Sequence, residues 1–122
     1  MVVVKRVYDP PDPADGVRVL VDRLWPRGLS KDRAAVDEWL REVAPSEQLR
    51  RWYRHDPQRF AEFAERYRQE MHDAEHASAL ARLRAYAASE PVVTLVTATR
   101  DLEHAHTAVL ADVIDETGPI GE

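Results

Sequence analysis

The 122-residue sequence predicts a small α/β domain in three layers, with a mainly parallel three-stranded sheet covered by about five helices. Three observations point there. Short β-branched apolar runs occur at 2–7, 17–25 and 92–98. Apolar residues at helical spacing fill the stretch between the second and third runs and the stretch after the third. About 65 residues of helical pattern between two strands suit a parallel crossover.

Each element has a local reason. Val2, Val3, Val4 and Val7 form a buried strand. The following Asp9-Pro10-Pro11-Asp12-Pro13-Ala14-Asp15-Gly16 holds three prolines and a closing Asp-Gly, so it reads as a loop. It is short for a parallel crossover, which leaves the direction of the first strand open. Val17 to Trp25 is the second strand. Its unbroken Val19-Leu20-Val21 fits a strand covered on both faces, and Pro26-Arg27-Gly28 ends it.

Ser30 reads as an N-cap for a helix carrying Val36, Trp39, Leu40 and Val43 on one stripe. Pro45 stops that helix and Ser46 caps the next, which carries Leu49, Trp52 and Tyr53. Asp56-Pro57 is a cap followed by proline at the first helical position. Phe60, Phe63, Ala64, Tyr67 and Met71 then form an amphipathic stripe. Its phase weakens over 73–78 and resumes with Leu80, Leu83 and Ala87, giving two helices. Val92 to Ala98 is the third strand. Asp101 caps a last helix with Leu102, Ala105, Val109 and Val113 inward. Thr117-Gly118-Pro119 ends it, and residues from about 115 form a tail. The pattern is that of one domain with a Rossmann-like order of layers.

Composition narrows the chemistry. The chain has no cysteine, which excludes disulfides, cysteine nucleophiles and thiolate metal sites. The net charge is -5, so a broad nucleic-acid surface is not expected. Of the 17 basic residues, 15 are Arg, and the charge is uneven: residues 1–59 carry +2 and residues 60–122 carry -7. No apolar run approaches the ~20 residues of a membrane span. The start of the chain lacks a signal-peptide pattern, so the expected setting is the cytoplasm.

Ligands of open α/β sheets gather beyond the carboxyl ends of the strands. Strand one ends at Tyr8-Asp9. Strand two ends at Asp22-Arg23, followed by Arg27 and Gly28. Strand three ends at Thr97-Ala98-Thr99-Arg100-Asp101, before a helix whose first turn carries His104. If strands two and three are parallel neighbours, these residues meet at one edge. Arg23, Arg27 and Arg100 offer planar forks for phosphate or carboxylate. Thr99 and Tyr8 offer hydroxyls. Asp22, Asp101 and His104 are the candidates for proton transfer. His55, at a helix joint, joins the site if that joint folds over the strand ends. Each residue also has a structural reading: Asp22 as an ion-pair partner, Asp101 as a cap, and Arg23 and Arg27 as covers for Trp25.

His72-Asp73-Ala74-Glu75-His76 matches the H-x-x-E-H pattern of inverted zinc proteases. It falls where the helical phase is weakest and a downstream third ligand cannot be identified, so a metal-dependent hydrolase using His72 and His76 is only the third reading. No metal and no cofactor are therefore expected. The stripe of Phe60, Phe63 and Tyr67 reads as core, as do Trp39 and Trp52.

The segment Lys5-Arg6-Val7-Tyr8-Asp9-Pro10-Pro11, the run Val21-Asp22-Arg23-Leu24-Trp25-Pro26-Arg27-Gly28, His55-Asp56-Pro57, and Arg100-Asp101 with His104 resemble the YeaO-like bacterial proteins, a domain-of-unknown-function family. The resemblance covers residues 3 to about 114. It implies a small α/β domain and no settled activity, so no catalytic residue carries over from it. Thr97 stands where that family often has Tyr, Thr99 where it often has Ala, and Ala105 where it often has Asn. The expected function is a small hydrolase or group transferase acting on an anionic substrate, phosphate-bearing ones included. The alternative is a non-catalytic module that binds a small anion or nucleic acid. The oligomeric state is left open by the sequence.

Overall fold

The computed structural model describes residues 1–116, and of the expected tail only Asp115 and Glu116 fall among them. The strands are β1 (Val2–Arg6), β2 (Val17–Leu20), β3 (Glu38–Trp39) and β4 (Val93–Thr97). They form one parallel sheet in the order β1-β4-β2-β3. The helices are α1 (Lys31–Ala34), α2 (Glu47–Tyr53), α3 (Phe60–Glu70), α4 (Ala74–Ser89) and α5 (His106–Glu116).

β4 lies at the centre, and all five of its residues are buried. It is paired on both sides, which accounts for its continuous apolar run. Alternation then sends side chains to two cores. On one face Val19, Val21 and Leu95 pack against Phe63, Tyr67, Leu83 and Leu110 of the long helices. On the other, Leu20, Val96 and Val7 meet Ala34, Trp25 and Trp39 in a thinner layer built from α1 and its flanking loops. Each fully buried large apolar side chain contributes about 1.5–3 kcal/mol.

The sheet has four strands, not three. The stripe Val36, Trp39, Leu40 and Val43 predicts a helix, yet α1 ends at Ala34. Ala35 adopts the left-handed conformation at φ 50°. The Asp37 carboxylate then accepts the Arg18 N–H at 2.8 Å, and Asp37 N–H donates to the Arg18 carbonyl at 2.8 Å. Those bonds draw Glu38–Trp39 onto the edge of β2. Trp39 and Leu40 pack in different cores, as consecutive strand residues do. The second strand is also shorter than predicted, ending at Leu20, although Val21 N–H still bonds the Val96 carbonyl at 3.2 Å.

β1 runs parallel to β4, which settles its direction. Ten residues separate β1 from β2, and the stretch that reads as a plain loop contains a turn of 3₁₀ helix at Pro13–Asp15, capped by Asp12; the return along a strand of about five residues needs no longer helix. This connection is anchored by Asp15, whose carboxylate takes Lys5 Nζ at 3.0 Å and Arg18 Nη1 at 2.7 Å. Thr94 Oγ1 donates to the Asp15 carbonyl at 2.7 Å. Gly16 closes the loop at φ 63°, where a Cβ would sit 2.2 Å from the Val92 carbonyl oxygen, so no other residue fits.

Of the caps read from sequence, Ser30, Ser46 and Asp56 are present and Asp101 makes no capping bond with its side chain, while Asp73 is a cap that the sequence reading did not name. Ser30, Ser46 and Asp73 accept backbone N–H groups at the starts of α1, α2 and α4, and Asp56 caps the turn of 3₁₀ helix that leads into α3. The break between α3 and α4 falls at 71–73.

Arg18 is buried at 4% exposure. It also donates to the carbonyls of Ala34 and Ala35, at 2.9 and 3.0 Å. Arg18→Ala is expected to cost about 3–5 kcal/mol, the usual result of breaking a buried ion pair, although Lys5 stays on Asp15. Urea unfolding at neutral pH measures it, and a loss within 1 kcal/mol or so of zero would contradict this role.

Candidate functional site

β2 and β4 are parallel neighbours, so their carboxyl ends meet as the sequence requires. A cavity of about 410 Å³ opens there. Tyr8, Asp22, Arg23, Arg27, His55 and Thr99 all line it, with an apolar floor that includes Trp25, Pro45, Tyr53 and Phe63. Arg100 and Asp101 line an adjoining shallow depression that shares His55, Ala98 and Thr99 with the main cavity.

Asp22 is the centre of the arrangement. Its Oδ1 accepts the Thr97 hydroxyl at 2.7 Å and lies 3.4 Å from His106 Nε2. Its Oδ2 accepts the Ala98 N–H at 2.8 Å. Its backbone carbonyl accepts Trp39 Nε1 at 2.7 Å. Burial alone pushes this carboxyl up. The hydrogen bond and charge of His106, with the Ala98 and Thr97 donors, outweigh that and hold it below the usual carboxylate range. Asp22 is therefore an ionised structural acceptor at neutral pH.

His104 is not at the cavity. A 3₁₀ turn at Leu102–His104 precedes α5, and Ala105 is extended. The helix therefore starts at His106, four residues later than the sequence suggests, and His106 lines the cavity instead. The His104 ring pairs with Asp101 at 2.7 Å and sets its edge on Phe60. That hydrogen bond holds the Asp101 carboxyl below its ordinary range. Asp101 makes no capping bond with its side chain, so its partner is His104.

Arg23 and Arg27 play different parts. Arg23 Nη2 donates to the Ala44 carbonyl at 3.0 Å and its Nε to Pro45 at 3.4 Å. It fixes the wall of the cavity. The Arg27 side chain has no hydrogen bond or ion pair among the described residues, while its carbonyl accepts the Tyr8 hydroxyl at 3.0 Å. Gly28 turns the chain beside it at φ 70° with open space around it. Arg50, on α2, reads from sequence as a solvated helix residue. It lines the cavity and is likewise without a side-chain partner among the described residues.

The H-x-x-E-H pattern dissolves. His72 is exposed in the turn before α4, whereas His76 is buried in the first turns of that helix. His76 Nδ1 meets Asp73 at 2.9 Å and Nε2 meets the Ala44 carbonyl at 2.8 Å. Among the described residues no three His, Asp or Glu side chains are grouped to hold a metal. No helix there is long and apolar enough to cross a membrane.

The family model described as "Inactive DUF488-N3 subclade" matches residues 1–118. The chain belongs to that DUF488-N3i family. It is 53% identical over 112 residues to the uncharacterized protein Rv3073c of Mycobacterium tuberculosis (strain H37Rv), 92% of either chain. The same figures hold for the uncharacterized protein Mb3100c of Mycobacterium bovis. It is 43% identical over 108 residues to the uncharacterized protein YeaO of Escherichia coli (strain K12), covering 88% of this chain and 91% of that one. The YeaO-like resemblance is thus a family relationship. No solved structure matches.

In this DUF488-N3i domain the lowered pKa of Asp22 gives a signed prediction. The ionised carboxylate stabilises the fold fully above the unfolded value near ~3.9, and that contribution disappears as pH falls through the lower folded value. Asp22→Asn should cost about 1–3 kcal/mol at neutral pH. The gap from the parent should close on acidification below about pH 4. Unfolding titrations across that range measure both, and a gap that stays constant would refute the assignment.

Proposed function

We propose that the domain is a non-catalytic binding module for a small organic anion, held at the carboxyl ends of β2 and β4. One observation carries this reading. Arg18, Arg51, Arg59, Arg66, Arg68 and Arg82 are in ion pairs with carboxylates, and none of them lines the cavity. Arg27 and Arg50 do line it, with no carboxylate partner among the described residues. The apolar floor suits a ligand with a ring or chain attached to its charged group. The cavity volume falls within the ~300–1,000 Å³ of small-molecule sites.

Absence of turnover is supported by Asp22, whose two oxygens are occupied, and by the family's description as inactive. A second reading, a hydrolase or group transferase, is favoured by His106. Its Nε2 faces the Val21 carbonyl and Asp22, the way a general base is oriented by its carboxylate.

Calorimetric titration with phosphate, nucleoside monophosphates, and aryl carboxylates and sulfonates tests both readings. Removing both free guanidinium groups, Arg27→Ala with Arg50→Ala, should weaken binding at least about tenfold, since a charged hydrogen bond is worth about 1.5–3 kcal/mol. Arg51→Ala, which removes an ion-paired neighbour, should leave binding unchanged. Turnover of any of these compounds would establish the enzyme reading, and failure of all of them to bind would overturn the anion site.

A further inference from the structure

Resting on the anion-binding reading, we infer that His106 is a direct ligand contact and that the anion binds together with one proton, taken up on His106 Nδ1. His106 Nε2 lies 2.9 Å from the Val21 carbonyl and 3.4 Å from the Asp22 carboxylate. Both are acceptors, so Nε2 carries a hydrogen in either charge state of the ring. Nδ1 has no hydrogen bond among the described residues. The buried, unpartnered side-chain atoms there are Arg6 Nε, Arg84 Nε and Thr107 Oγ1. His106 Nδ1 is not one of them, so it keeps some accessible surface, on a ring that lines the cavity.

The rest of the ring is held in place. Its side chain is 11% exposed, and its plane meets the Tyr67 ring edge-on at 6.2 Å. It stands on the first residue of α5, an eleven-residue helix. The titratable and charged groups facing it are Asp22 after β2 and Tyr67 on α3. Across the cavity lie Arg23, Arg27, Arg50, His55 and the phenols of Tyr8 and Tyr53.

Neutral imidazole offers Nδ1 as a lone pair, which repels an anion. Imidazolium offers Nδ1–H, which donates to one. Imidazole changes charge between pH 5 and 8, so an anion drawn to the arginines selects the protonated ring. Where the free ring is neutral, one proton passes from solvent to Nδ1 for each anion bound. No bond in the ligand breaks.

The probe is naphthalene-2-sulfonate, an apolar body with an anionic group whose charge is constant from about pH 5.5 to about 8.5, the span over which histidine titrates. Calorimetry in two buffers of different ionisation enthalpy counts the protons. Expected are uptake approaching one proton at the alkaline end, and a Kd that rises there by up to about tenfold per pH unit. His106→Gln keeps an N–H for Val21 and Asp22 but lacks Nδ1, and it should flatten the profile. His72→Gln, which changes an exposed histidine away from the cavity, should leave the profile as in the parent.

Binding that is independent of pH in the parent would overturn this inference and leave the anion site standing. A pH profile that survives His106→Gln, or that disappears with His72→Gln, would do the same. No sulfonate binding at about pH 5.5 would overturn this inference, and the anion site falls with it only if phosphate, nucleoside monophosphates and aryl carboxylates also fail to bind. A second measurement needs no variant: at the alkaline end, saturating sulfonate should move the His106 ring resonances to protonated values, and resonances that stay put would overturn the proposal.

Discussion

The Asp22 carboxylate is the joint on which this edge of the domain depends. Three segments distant in sequence converge on it: Thr97 and Ala98 from the end of β4, His106 from the start of α5, and Trp39 from β3 through the Asp22 carbonyl. Burying a carboxylate is costly unless it is paired and hydrogen-bonded. Here both oxygens have donors, so the cost is offset and the carboxylate ties the strands in register. The same bonds set the cavity's back wall. They also spend the group that chemistry would most readily use, which is why the most buried acid of the site is a poor candidate for catalysis.

A second set of bonds shapes the opposite wall. The Ala44 carbonyl receives both Arg23 Nη2 and His76 Nε2, and the neighbouring Val43 carbonyl accepts the Tyr67 hydroxyl. The Ser46 hydroxyl and N–H bind the Glu70 carboxylate at 2.5 and 2.9 Å. α3 and α4 thereby position a turn that belongs to neither. His76, which sequence pattern alone associates with a metal, acts as a pillar under the cavity rim. Arg23, which sequence alone assigns to the ligand, is mostly committed to the same rim. The cations left for a ligand are those on less constrained segments, Arg27 beside Gly28 and Arg50 on the open face of α2.

Strand positions and the meeting of β2 with β4 were legible because period-two and unbroken apolar runs report burial directly. Asp22, Arg27, Thr99 and His55 were legible at the cavity because strand ends converge by topology alone. The fourth strand was not. Val36, Trp39, Leu40 and Val43 satisfy a helical stripe, and what overrides it is a pair of bonds between Asp37 and Arg18, nineteen positions apart. His106 was hidden for a related reason. A single 3₁₀ turn shifts the start of α5 from Leu102 to His106, and that shift exchanges which histidine faces the cavity. Helix ends are set by such local bonds, and periodicity reports them poorly.

The joint at Arg54–His55 shows how the arginine-bearing helix is aimed. Both residues adopt left-handed conformations, at φ 53° and 55°, at a cost of roughly 1–2 kcal/mol each for side chains with a Cβ. Something must hold them there. Arg54 N–H closes α2 onto the Arg50 carbonyl at 3.0 Å, and the Tyr53 ring stacks on Phe63 at 4.1 Å while its hydroxyl donates to the His104 carbonyl at 2.6 Å. Tyr53 therefore pins the end of α2 to both α3 and the approach to α5. With that end fixed, the chain can reverse only by the left-handed pair, which brings His55 over both depressions while Arg50 faces the larger one. Strain of this kind persists where surrounding contacts over-determine the backbone. Ala35, left-handed at φ 50° after α1, lies outside the cavity, so strain of this kind follows from the packing that holds each turn.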